Sequence, residues 1–70
     1  MASVKAPLPG TVLEVMVSVG DKVAAYDPVL MLEAMKMENE IASEDDGTVK
    51  EILVKKGDVV QPGQDLIILE

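Results

Sequence analysis

Slid along itself by 37 residues, the chain matches itself without a gap. Gly10–Glu33 (GTVLEVMVSVGDKVAAYDPVLMLE) falls on Gly47–Glu70 (GTVKEILVKKGDVVQPGQDLIILE), and ten of the 24 pairs are identical, among them Gly10/Gly47, Val17/Val54, Gly20/Gly57, Asp21/Asp58 and Glu33/Glu70. Other pairs exchange one aliphatic side chain for another, as in Val15/Ile52 and Met31/Ile68. Two copies are too few for a solenoid, which needs about three repeats to bury its faces. They suit a pseudo-twofold fold in which each half covers the other. The chain is therefore expected to be one domain, 1–70, with copies at 10–33 and 47–70 joined by a hairpin at 34–41.

Each copy reads as β. The apolar runs are short, rich in Val, Ile, Leu and Thr, and bounded by turn signals at Pro7–Gly10, Gly20–Asp21, Asp45–Gly47, Gly57–Asp58 and Pro62–Gly63. MLEAMKMENEI is rich in helix formers, but Val29–Leu32 must match Leu66–Leu69, which is β-rich. Positions apolar in both copies (12/49, 15/52, 17/54, 23/60, 30/67 and 32/69) form the expected core. Positions apolar in one copy and Lys in the other (13/50, 19/56 and 22/59) are expected outside. From Val12 to Val17 the apolar set changes parity, which calls for a bulge or sharp bend of the kind a small closed barrel needs. Gly10, Gly20, Gly47 and Gly57 are assigned to turns rather than to a phosphate-binding loop, because no glycine-rich stretch leads into a helix.

Composition removes several function classes. With no Cys and no His, disulfides, thiolate or imidazole zinc sites and Cys/His nucleophilic machinery are excluded. Thirteen acids against six Lys give a net charge of -7, which repels phosphate backbones, and Tyr26 is the one aromatic available to stack on a base; nucleic acid is not an expected partner. No signal peptide is visible and no apolar run approaches the roughly 20 residues that span a bilayer, so the chain is expected to be soluble. The acidic residues Glu38, Glu40, Glu44, Asp45 and Asp46 read equally well as a solvating edge or as a partner-recognition strip.

The junction between the copies, Ala34-Met35-Lys36-Met37-Glu38-Asn39-Glu40-Ile41, carries the chemistry. If Val29–Met35 and Met37–Ser43 pair as antiparallel strands, Met35–Lys36 forms the tip and Lys36 projects into water. Gly, Asn and Asp, which tight hairpin turns favour, are all missing from it. A local rule broken without visible gain suggests a functional constraint.

Glu33-Ala34-Met35-Lys36-Met37 resembles the biotin-attachment motif, and the chain around it is similar to the biotinyl domains of biotin-dependent carboxylases, decarboxylases and transcarboxylases. The likeness runs through Pro7-x-Pro9-Gly10-x-Val12, Val17-x-x-Gly20-Asp21-x-Val23 and their counterparts after the motif. It implies an all-β fold, a flattened eight-stranded barrel or sandwich of two four-stranded antiparallel sheets with pseudo-twofold symmetry. It implies biotin joined covalently to Lys36 by a biotin protein ligase, with Met35, Met37, Glu33 and Ala34 as the residues the ligase recognises. The expected role is a non-catalytic carrier that takes a carboxyl group between biotin carboxylase and carboxyltransferase or decarboxylase subunits, the hard chemistry belonging to cofactor and partners. The domain itself is expected to be monomeric and cytoplasmic, peripheral to the membrane where the parent is a membrane-bound decarboxylase. Val23–Pro28 is no longer than Val60–Asp65, leaving no room for the inserted thumb of some acetyl-CoA carboxylase carriers.

Two other readings remain beside this one. The related lipoyl domains share the tip lysine but usually carry Asp before it and Ala after it, where this chain has Met on both sides. A cofactor-free β-sandwich interaction module would have no use for Ala-Met-Lys-Met at its tip.

Overall fold

The computed structural model describes residues 2–70, and every regular element in them is a strand. In chain order these are β1 (Ala2–Lys5), β2 (Gly10–Val15), β3 (Lys22–Val23), β4 (Pro28–Ala34), β5 (Met37–Ala42), β6 (Gly47–Ile52), β7 (Val59–Val60) and β8 (Asp65–Leu69). They form two antiparallel four-stranded sheets, ordered β1-β8-β6-β3 and β5-β4-β2-β7. Shifting β1, β2, β3 and β4 by 37 residues lays them on β5, β6, β7 and β8, with the same bounds for β2 and β3, and the same shift carries one sheet order onto the other. Each sheet thus takes two strands from each copy, and neither copy holds a complete sheet alone.

The repeat is longer in space than in sequence. Ala2, Ser3 and Val4 pair with Leu69, Ile68 and Ile67, and 37 residues on, Asn39, Glu40 and Ile41 pair with Leu32, Met31 and Leu30 in the same register. The matched segments are therefore 2–33 and 39–70. Among the described residues, only 34–38 has no counterpart.

Of the expected core pairs, 12/49, 23/60, 30/67 and 32/69 are buried; Val54 is buried, while Val15, Val17 and Ile52 pack half-buried against the cluster. Of the positions expected outside, Val19, Lys22, Lys50, Lys56 and Val59 are exposed and Leu13 is half-buried. The register shifts at Leu13, between Val12 and Glu14, and at Lys50, between Val49 and Glu51, where the parity change called for a bulge. A second pair of bulges was not anticipated. It lies at Val29 and Leu66, both 0% exposed. Each bulge turns two consecutive side chains inward, Val29 with Leu30 and Leu66 with Ile67, which simple alternation forbids.

The loops repeat as well. Asp21 and Asp58 accept from the backbone N–H groups of Ser18 and Lys55, at 2.8 and 3.0 Å, closing turns in which Gly20 and Gly57 hold φ of 97° and 95°. Asp27 and Gln64 do the same for Ala24 and Gln61. Between them sit Tyr26, at φ 70°, and its counterpart Gly63, at φ 83°. Left-handed backbone suits glycine and strains a residue with a Cβ. Gly10 and Gly47 differ from the turn role assigned to them: they open β2 and β6, and a Cβ there would lie 2.4 Å from the Glu33 carbonyl oxygen and 3.0 Å from that of Glu70. They permit close approach of neighbouring strands.

Tyr26→Gly is expected to stabilise the fold by up to about 1 kcal/mol, since Tyr26 is 78% exposed and loses little packing. Gly63→Ala is expected to cost a similar amount. Thermal melts of both variants check this, and a lower melting temperature for Tyr26→Gly would contradict it.

Candidate functional site

The five unmatched residues, 34–38, close the β4–β5 hairpin. Ala34 pairs with Met37, leaving Met35 and Lys36 as a two-residue turn with φ of 55° and 61°. Positive φ at both central residues marks the type I′ turn, whose twist fits paired strands and which normally uses Asn-Gly. Here both residues carry a Cβ, at about 1–2 kcal/mol each. Strain of this kind collects at functional sites, where the side chain matters more than backbone ease.

The turn places Lys36 on an exposed apex between two apolar side chains, Met35 at 87% and Met37 at 64% exposure. Of the other residues expected here, Glu33 is exposed one pair below the turn, and Ala34 is buried, its small side chain tucked against the barrel. Ala34 therefore lets the hairpin close rather than offering a surface. Glu33 stands directly across from Glu38. Like charges in opposed positions on a sheet are destabilising, so this pair adds to the local cost of the tip. Gly10 lies against the tip end of β4, where an added Cβ would meet the Glu33 carbonyl.

Asn39 is not among the site residues expected from the sequence. Half-buried on β5, it donates from Nδ2 to the Met37 carbonyl oxygen at 3.1 Å and reaches the Ala34 carbonyl at 3.5 Å. These carbonyls belong to the pair that closes the turn. The available signal was an Asn inside a strand, where Asn is depleted.

Ala2 and Glu70 lie at the opposite end from this tip. Residues 43–46 lead from the far end of β5 to the start of β6, where Thr48 exchanges backbone hydrogen bonds with Glu70; Ala2 pairs with Leu69 beside it. The molecule extends 31 Å along its long axis and 19 Å along the other two. Among the described residues the one ion pair joins Lys5 to Asp65, and Lys36 has none. The Lys5 ammonium, helped by the Ser3 hydroxyl, holds the Asp65 carboxyl below its usual range. That contribution is present above the ordinary Asp range and is lost as pH falls through the lowered value. No cavity opens anywhere among the described residues, and no helix is long and apolar enough to cross a membrane.

An all-β barrel of two interleaved halves, presenting one lysine on a strained hairpin apex, defines a carrier-type domain. The family model for the biotin-requiring enzyme domain matches residues 2–69. The chain is 52% identical over 64 residues to a biotin carboxyl carrier protein of Streptococcus mutans, covering 91% of this chain and 49% of that one. It is 48% identical over 65 residues to a pyruvate carboxylase of Staphylococcus aureus, covering 93% of this chain and 6% of that one. Among solved structures, the urea carboxylase of Kluyveromyces lactis superposes with a TM-score of 0.92 at 32% identity, covering 99% of this chain and 6% of that one. The chain belongs to the biotin-requiring enzyme family, as a carrier domain rather than a catalytic one. It spans about half the length of the carrier protein it matches.

Gly10→Ala is expected to destabilise the barrel by about 1–3 kcal/mol, because the added methyl meets a backbone oxygen that cannot swing away. Gly47→Ala, with 0.6 Å more room (3.0 against 2.4 Å), is expected to cost less. Urea unfolding of the two variants checks the order; equal losses would contradict it.

Proposed function

We propose that Lys36 is the acceptor for covalent biotin and that the chain works as a biotin carboxyl carrier. The observation that carries this is Lys36 itself: one unpaired amine, held out on a left-handed two-residue turn between exposed methionines, in the one stretch the repeat does not duplicate. The donor set fits. A primary amine on an open apex is accessible to a ligase and can form an amide with the biotin carboxyl group. When bound, biotin supplies a ring nitrogen that carries a carboxyl group. The chain's own part is to hold that attachment point clear of the barrel.

Met35 and Met37 are the first surface a biotin protein ligase meets. Their unbranched thioethers adapt to a partner with little steric demand. Glu33 lies just below them as an acidic contact, and Ala34 acts through hairpin closure. The same tip then meets carboxylase and carboxyltransferase or decarboxylase sites in turn. Tethering makes those meetings intramolecular, so a modest affinity for each site suffices. Ala2 and Glu70 lie at the far end, which leaves the tip uncovered by them. The cytoplasm is the proposed compartment, where a ligase and carboxylase subunits would act on it.

Intact-mass measurement after incubation with biotin, ATP and a biotin protein ligase, followed by peptide mapping, is expected to show one biotinyl addition on Lys36. Lys36→Arg is expected to accept none while melting within about 0.5 kcal/mol of the parent, as exposed substitutions do. Addition at another lysine, or none to the folded parent, would overturn the assignment. In the second case a lipoyl ligase distinguishes lipoate from a cofactor-free module.

A further inference from the structure

The tip has a device to hold it. Met35 and Lys36 both occupy left-handed backbone that favours glycine, and Glu33 faces Glu38 directly below them. Everything local therefore favours opening the turn. Against this stands Asn39. β5 alternates outward and inward, with Glu38 and Glu40 exposed, Asn39 half-buried and Ile41 buried, so Asn39 is the inward residue nearest the turn. Its amide Nδ2 offers two protons, and the two oxygens in reach are the Met37 and Ala34 carbonyls. These are the only side-chain hydrogen bonds to the hairpin tip among the described residues. The counterpart of Asn39 in the other copy is Ala2, which pairs with Leu69 as Asn39 pairs with Leu32. Ala2 carries no polar side-chain group.

We infer that Asn39 is a positioning residue: by donating to the carbonyls of the turn-closing pair, it keeps the strained Met35–Lys36 turn populated and so presents Lys36 to the ligase. It does not touch the reacting amine. Its effect is on the fraction of molecules whose tip has the competent shape, and an acceptor that is competent only part of the time binds more weakly by that fraction.

The test uses Asn39→Ala and Asn39→Asp, the latter keeping the shape but replacing the amide donor with a carboxylate at neutral pH. Amide hydrogen exchange read by NMR is expected to speed up about tenfold at residues 34–38 in both variants, with the rest of the barrel unchanged. Tenfold corresponds to about 1.4 kcal/mol. In the ligase reaction, with unmodified domain as the varied substrate, KM is expected to rise by up to a similar factor, set by the fall in the competent fraction, with kcat unchanged. Adding Met35→Gly to Asn39→Ala is expected to restore slow exchange at the tip, since glycine enters the left-handed region freely. A structural role elsewhere in the barrel would not respond to that rescue. Unchanged exchange at 34–38, faster exchange throughout the barrel, or failure of the glycine rescue would overturn the inference. The ligase readout rests on Lys36 being the acceptor, but the exchange readout does not, so the two claims fail separately.

Discussion

The structure depends on how its two copies share their sheets. Each sheet draws two strands from each copy, so the buried aliphatic side chains of one half pack against those of the other. Leu30 and Leu32 belong to one copy, Ile67 and Leu69 to its match, and all four are at most 1% exposed. A chain of 70 residues buries only about 60% of the surface its unfolded form exposes, so it has little margin. Without disulfides, regular packing has to supply the stability, and interleaving lets one solved packing problem serve twice. The bulges at 13/50 and 29/66 show that even the departures from regular strand geometry are duplicated.

Symmetry of this kind also marks what it does not need. Residues 34–38 have no partner in the repeat, and they are where the local rules of stability are broken together. Two residues with a Cβ sit in left-handed backbone, two glutamates face each other, and two methionines stand in water. The corresponding place in the other half holds Ala2 and Glu70, where the chain's ends lie side by side with the sheet. The strained hairpin therefore lies at one end of the barrel, and Ala2 and Glu70 at the other.

Much of this was legible in the residues. The repeat fixed the β reading and the twofold plan, and the parity change from Val12 to Val17 located one bulge pair. The Met-Lys-Met motif pointed to the apex. What escaped had physical reasons. Ala2/Asn39 and Ser3/Glu40 share backbone register but no side-chain chemistry, so the repeat appeared to begin at Gly10. Val29 and Leu66 are inward only because a bulge inserts there, and nothing in an aliphatic side chain announces a bulge. Gly10 and Gly47 looked like turn glycines because Pro-Gly and Asp-Gly neighbour them, whereas their role comes from a carbonyl on a distant strand. Asn39 could be understood only once the turn it supports was placed above it.

The central claim is that the barrel is complete without its tip, and that the tip gives up stability in order to present a lysine. Replacing the turn by the sequence that its geometry favours, Met35→Asn with Lys36→Gly, isolates that claim. The thermal unfolding midpoint of the double variant is the measurement. The account predicts an upward shift of several degrees, at about 4–8 °C per kcal/mol for a domain of this size, together with loss of biotin acceptance. A downward shift would show that Met35 and Lys36 help hold the fold, and would contradict the account.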